Sequence, residues 1–484
     1  MPSCRQPGGL TAGAAPSPEI AAAISTSPQG EVTYSPLPSP RGEGGARRRR
    51  RREGEGEFDA NPSSARPAEG GRSRRTNAMK TLTTILTVAA AALSLSALSA
   101  RAEPVTLTWQ MWSSTDAETA AWQHVAGLVN AQYPDIKVEL QTSPWRDYWT
   151  KLPTLAASNT LPDIVSIQSL RLSGFTTLFE PLDEHVKDGF DLGQFDKSIL
   201  DGLSYDGHLY ALPYDFGPLV VYYNRDLFAK YKVEPPKSGW TRADFLAAAK
   251  ALTQDGNYGF AVTSGDWLEF ALSDGAKYLT DDGALNFGDA ELQAAFQSYV
   301  DLVTKEKVAP VIAASGQPSG DIARGRFLAG NVAMYVTGPW EMINIRKSSS
   351  FPVGLAPLPA GKAGSITFTA GSGFGINKAG PHKDLAWKAI QVLTGPEAEQ
   401  YLASQGRAFP GRIAQQGYWY DVAAQGVADA RETIDFALKT AQPYRTTANW
   451  NTVYELLEQY APLAYGGSQT GAEVLDTVQG LAAE

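Results

Sequence analysis

The sequence predicts an α/β protein large enough for two domains, and three observations predict it. Its 484 residues exceed what one hydrophobic core supports. A 43% hydrophobic share and a mean hydropathy of -0.24 are too apolar for a disordered chain and too polar for a multispanning membrane protein. From Val105 onward, patterns of period two and period 3.6 alternate as β-α-β-α-β, which folds as a parallel sheet covered by helices.

The first strand is Val105-Thr-Leu-Thr-Trp109, with apolar and polar residues in alternation. Thr115-x-x-Glu118 is a capping box, and the helix it starts has Trp122, Val125, Val129 and Tyr133 on one face. Pro134-Asp135 stops that helix, and Ile136, Val138 and Leu140 alternate as the second strand. A second helix over residues 146–158, kinked at Pro153, leads through Leu161-Pro162-Asp163 to the strand Ile164-Val-Ser-Ile167. Further helices are predicted over 241–252, over 290–305 with Leu292, Phe296, Tyr299 and Val303 on one side, and over 383–393. No internal repeat or heptad run is present, which excludes solenoids and coiled coils.

The first hundred residues belong to neither domain. Residues 1–78 hold Pro, Gly and Ser punctuation and six arginines from Arg47 to Arg52 without apolar periodicity, so a disordered extension from a start assigned too far upstream is expected. Residues 79–102 have the layout of a secretory signal peptide: Met79-Lys80, a small and apolar run from Leu82 to Leu98, and Ala100-Arg101-Ala102 before Glu103. The single cysteine, Cys4, stands far from that cleavage point, so neither a lipid anchor nor an intrachain disulfide is expected. A free periplasmic protein is the expectation. From Glu103 on, 28 basic residues face 43 acidic ones, a net charge near -15 that disfavours nucleic acid and anionic membranes.

Four segments in order carry a resemblance to a known family. They are Leu161-Pro-Asp-Ile-Val165; Gly207-His-Leu-Tyr-Ala-Leu-Pro213 running on to Val221-Tyr-Tyr-Asn-Arg-Asp-Leu-Phe228; Gly330-Asn-Val-Ala-Met-Tyr335 with Gly338-Pro-Trp340; and Ala370-Gly-Ser-Gly-Phe-Gly-Ile-Asn377 with Ala386-Trp-Lys-Ala-Ile390 and Leu393-Thr-Gly-Pro-Glu397. Together these resemble the extracellular solute-binding proteins of family 1, the maltose-binding-protein-like sugar-binding components of ABC transporters. The resemblance implies a class II periplasmic binding protein fold, with two α/β lobes, a hinge and a ligand cleft between the lobes. It places one lobe at 103–216 with 374–420 and the other at 219–369 with 421–484. The crossings then fall near Phe216 to Pro218, Thr369 to Gly373 and Tyr420, where glycines serve either as hinge residues or as turn residues. It implies a monomer that takes a sugar-like small molecule, hands it to the transmembrane subunits of an ABC permease, and uses no cofactor or metal.

Sugar recognition needs flat aromatic faces for ring C–H groups and fixed polar groups for hydroxyls. Trp340, after Gly338-Pro339 at a strand end, resembles the family's stacking position. Trp450, at the start of a helix, and Trp267, after Ser264-Gly265-Asp266, are each either a cleft face or a core side chain. Asp215, two residues past Pro213, can accept sugar hydroxyls or cap a turn. Trp112, Ser113 and Ser114 lie at the carboxyl side of the first strand, and Gln168 and Arg171 follow the third, the edge where open parallel sheets bind ligands. Gly371 and Ser372 can offer backbone N–H groups. Two departures put maltose itself in doubt: Gly217 stands where the family has an acid, and Ile167 where it has an aromatic residue.

Other classes fit less. A secreted glycoside hydrolase would use carboxylates such as Asp215 and Glu341, yet no segment pairs two acids in a recognisable frame. A metal hydrolase lacks His-Glu-x-x-His among only four histidines. A peptide-binding or chaperone module leaves the aromatic platforms unexplained. A glycerol-phosphate-binding relative calls for a basic cluster that the sequence does not localise.

Overall fold

The computed structural model describes residues 103–187, 189–313 and 316–483. The extension over 1–78 and the signal peptide over 79–102 lie outside the described residues. Among the described residues, eleven strands and the helices between them form two sheets and a short hairpin.

The first sheet grows from the predicted β-α-β-α-β run. Strand β1, Val105–Trp112, pairs in parallel with β2, Ile136–Ser143, and with β3, Ile164–Gln168. β1 runs three residues past its predicted end: Met111 continues the face of Leu107 and Trp109, and Gln110 and Trp112 are buried on the opposite one. The first helix, Asp116–Gln132, buries Trp122, Val125 and Val129 as its period requires. Its cap is half of the predicted box. The Thr115 hydroxyl accepts from the Glu118 N–H, but the Glu118 carboxylate accepts from the Ser114 N–H at 2.7 Å and reaches on to Asn344. The second helix, Trp145–Ala157, keeps Pro153 within it.

Strands β4, Ser204–Tyr205, and β5, His208–Leu209, form a hairpin whose turn, Asp206-Gly207, has positive φ at both residues. That is the turn sense an Asp-Gly pair favours. Strand β6, Leu212–Pro218, belongs to the first sheet. Only Leu219 separates it from β7, Val220–Asn224, the central strand of the second sheet. There β7 lies between β8, Met334–Thr337, and β9, Val353–Ala356, antiparallel to both. The chain returns along β10, Thr367–Ile376, which pairs antiparallel with β6 and β3 and in parallel with β11, Ala441–Pro443.

Two crossing strands therefore lie side by side, with Thr369 opposite Pro218 and Gly371 opposite Phe216. The glycines here are extended strand residues and not turn residues. What they supply is close approach: a Cβ on Gly371 would stand 2.4 Å from Ile199 Cδ1 and 2.6 Å from the Asp215 carbonyl, and one on Gly217 would stand 2.7 Å from Pro339 Cγ. Gly217 thus replaces the family's acid where the Pro339 loop leaves no room for a side chain. Near the third crossing, expected at Tyr420, Trp419 and Ala423 are buried with the first core, while Trp450 is buried with the second. Between them, the helix Ala430–Thr440 touches both sheets and leads into β11.

Candidate functional site

The carboxyl ends of β1, β2 and β3 open onto one cavity of about 240 Å³, closed on the far side by residues that follow the second-sheet strands. This is the edge at which parallel sheets bind ligands. Trp112 and Ser114 reach it from β1, Trp145 from the end of β2, and Gln168 and Arg171 from β3. The crossing strands add Asp215, Gly371 and Ser372, and Trp340 faces them from the other side.

Trp340 sits in a short 3-10 turn, Pro339–Glu341, and remains partly exposed. Its indole folds back over Gly338, where a Cβ would stand 2.1 Å from the ring, so only glycine fits there. Trp112 meets Trp145 edge to face at 5.2 Å and Tyr148 at 5.1 Å, so the rings brace one another. Arg171 is 2% exposed, and its guanidinium lies 4.5 Å from the Trp149 ring and 4.9 Å from Tyr454 while donating to Asn451. Burial pulls this guanidinium down to about 10, partly offset by Tyr454 and Glu455.

The cavity holds opposed charges. Asp215 is 3% exposed, and burial pushes its carboxyl up to about 7 against the pull of Arg407 and of hydrogen bonding from Ser372. Asp266 is likewise raised to about 7 by burial, with Glu458 adding to the rise. Burial also raises Glu341, although Arg324 lies 3.6 Å away. Burial works against the Arg407 charge, but Tyr214, Glu118, Asp215 and Glu341 together hold its pKa above the ordinary value. The Asn344 amide donates to Glu118 and to Glu341 at 3.0 Å each, so it ties the first helix to the Pro339–Glu341 turn.

Eight of the eleven predicted residues line this cavity: Trp112, Ser114, Gln168, Arg171, Asp215, Trp340, Gly371 and Ser372. Three do not. Trp267 is fully buried, 4.6 Å from Phe296, with its indole N–H given to the Ser264 carbonyl. Its helix, Trp267–Asp274, is buried over most of its surface, and an indole there packs into the core. Trp450 is 1% exposed against Tyr278 and Tyr444, on the face it shares with Val453 and Leu457; Tyr454 takes the cleft side. The Ser113 hydroxyl turns inward to Thr115 and Thr119. Gly371 lines the cavity, but its N–H already donates to the Ser169 hydroxyl.

Sequence reasoning missed Trp145, Tyr454, Asp266 and Arg407 as lining residues. Trp145 was within reach, since it follows β2 at the same edge that marked Trp112 and Gln168. Arg407 was not: it comes from the loop after the helix Pro396–Gln405, and only the tertiary return of that loop brings it beside Asp215.

Comparison with known proteins bears on the fold and the family. The chain is 27% identical over 284 residues to a binding protein of Brucella abortus, covering 56% of this chain and 68% of the relative. It is 28% identical over 247 residues to the lactose-binding protein of Rhizobium radiobacter, covering 47% and 58%. Among solved structures, an ABC substrate-binding protein from Listeria monocytogenes in complex with cycloalternan superposes with a TM-score of 0.72 at 24% identity, over 78% of this chain and 98% of that one. The maltose-bound MalE3 of T. maritima superposes with a TM-score of 0.67 at 26% identity, over 78% and 99%. The two lobes and the cleft between them are those of a periplasmic binding protein. The family of bacterial extracellular solute-binding proteins matches residues 129–434, well over half of the chain, and the protein belongs to that family.

Proposed function

We propose that the protein is the periplasmic solute receptor of an ABC importer, and that it captures a sugar, oligosaccharide or sugar alcohol between its lobes for delivery to the membrane permease. The observation that carries the reading is the pairing of aromatic faces with unmet hydrogen-bonding groups around one cavity. Gln168 Oε1, Arg171 Nε, Asp215 Oδ1 and Asp266 Oδ2 are buried without a partner, and all four residues line it beside Trp112, Trp145 and Trp340. Buried polar atoms are rarely left so, and a polyhydroxylated ring supplies partners for both donors and acceptors. The lactose and maltose named for two relatives support the same chemistry.

Ligand would contact Asp215, Gln168 and Arg171 from the lobe of residues 103–216 with 374–420, and Trp340 from the lobe of 219–369 with 421–484. Binding proceeds without turnover, by a monomer freed from its signal peptide. A thermal-shift screen over a carbohydrate library, followed by titration calorimetry, tests this. Ligand at 100 times its dissociation constant adds about 2.7 kcal/mol of stability. Saturable binding with no cleavage of labelled oligosaccharide is expected. Cleavage would instead favour the hydrolase reading, whose two acids, Asp215 and Glu341, share this cavity.

A further inference from the structure

The turn that carries Trp340 rests on the first crossing segment. Residues two apart on a strand share a face: on β6, Asp215 lines the cavity, and at Gly217 the same face is a notch that Pro339 fills. A Cβ on Gly217 would stand 2.7 Å from Pro339 Cγ and 2.8 Å from Cδ, but 3.8 Å from Cβ. Carbon atoms pack at roughly 3.5–4.0 Å, so any side chain there pushes the proline ring away by about 1 Å. A few residues on, at Tyr222 of β7, the same segment touches the turn again. Tyr222 is fully buried and donates its hydroxyl to the Gly338 carbonyl at 3.1 Å. That carbonyl also accepts the Glu341 N–H at 3.2 Å, the bond that closes the turn. The segment thus holds the turn at Pro339 and at Gly338, the residue over which the indole folds.

We propose that Gly217 and Tyr222 are positioning residues for Trp340: the notch at Gly217 sets how near the turn comes to Asp215, and the Tyr222 hydroxyl fixes the backbone from which the indole projects. The proposal rests on the reading of Trp340 as a ligand-facing residue and adds to it. Asp215 and Trp340 come from distant parts of the chain, yet both are placed by one crossing segment, so their separation across the cavity is built in before a ligand arrives. Neither Gly217 nor Tyr222 lines the cavity, and their effect on binding passes through the indole. Binding groups work within about 0.5 Å of their productive geometry, which a displacement of about 1 Å exceeds.

The test is fluorine NMR of the full chain labelled with 5-fluorotryptophan at its 11 tryptophans. Trp340→Phe identifies the Trp340 resonance, and Trp267→Phe that of a core indole. Without ligand, Gly217→Ala and Tyr222→Phe are each expected to shift the Trp340 resonance and to leave that of Trp267 in place. Pro339→Ala removes the two ring carbons that would meet the new methyl group, so adding it to Gly217→Ala is expected to bring the resonance back to its position in Pro339→Ala alone. Calorimetry with maltose and lactose as probes supplies the second readout. Gly217→Ala is expected to weaken binding by about tenfold in the otherwise native chain and by less than about twofold in Trp340→Ala, because residues acting through one group are not additive. The resonances decide the positioning role whether or not either probe binds. A Trp340 resonance unmoved in both variants, or equal losses of affinity in both backgrounds, would overturn that role and leave the sugar reading standing. Native affinity in Trp340→Ala would overturn instead the ligand-facing reading on which it rests.

Discussion

Replacing Trp340 with Ala separates a ligand-facing indole from a structural one. A tryptophan offers roughly 150–250 Å² to its partners, and here part of it is already spent on Gly338, which the ring covers too closely for any Cβ. Taking roughly a third of such a side chain as the face that a sugar ring covers gives on the order of 80 Å². At about 25 cal/mol per Å² its burial by a sugar ring contributes about 2 kcal/mol, so the Ala variant is expected to bind about 30-fold more weakly. Calorimetry with the sugar that emerges from the library screen measures this, and circular dichroism with thermal melting checks the fold. Unchanged affinity in a folded variant would refute the stacking assignment. Unfolding would show instead that the Pro339–Glu341 turn depends on the indole.

Trp267→Ala has the opposite signature: a fully buried indole packed on Phe296 is expected to cost about 3–5 kcal/mol of stability, read by denaturant melts, with affinity kept in the folded fraction. Because burial raises Asp215 and Asp266 from 3.8 to about 7, the folded state holds protons that the unfolded chain has released. Stability of the ligand-free protein is therefore greatest below pH 3.8 as far as these groups are concerned, and falls as pH rises through 7, by up to roughly 4 kcal/mol for each. Asp215→Asn is expected to reduce that slope between about pH 4 and 7, where the folded and unfolded chains differ in bound protons, and an identical slope in the variant would remove Asp215 as a source of it. Asn344→Ala removes the amide that ties Glu118 to Glu341 and leaves two buried carboxylates unbridged, so X-ray scattering should show a larger radius of gyration without ligand and a return on adding sugar. An unchanged radius would show that this bridge does not govern closure.

The first sheet was legible because parallel strands and their covering helices write different periods into the chain, and Trp122, Val125 and Val129 fell on one face as read. Cleft residues at the strand ends were legible for the same reason, since strand order alone fixes which edge faces ligand. Tryptophan itself was a poor guide. An indole after a loop reads alike whether it faces solvent or core, and what decides is the surrounding pattern: Leu268, Phe270 and Ala271 are buried in the same helix as Trp267, and Val453 and Leu457 extend the buried face of Trp450. Of the two roles read for the crossing glycines, the turn is not what the strands show, and the close approach that they supply was not legible for another reason. Their lack of a Cβ answers to Ile199, Asp215 and Pro339, residues distant in sequence, and no local turn signal reports such a contact.

The charges in the cleft bear on how a site built from so many ionisable groups would suit the uncharged sugar proposed for it. Arg324 pairs with Asp321 at 2.8 Å and with Glu341 at 3.6 Å, Asn344 bridges Glu341 to Glu118, and Arg407 faces Asp215. Each group is held by another before any ligand arrives, so donors and acceptors stand in fixed directions at no cost in ordering when a sugar binds. Removing one partner leaves its neighbour buried and uncompensated, which is far more costly than the net value of the pair. The network therefore fixes geometry more than it adds attraction. A ligand whose hydroxyls match those directions gains the unmet bonds of Gln168 and Asp215, and one that brings a net charge upsets a balance already struck within the protein.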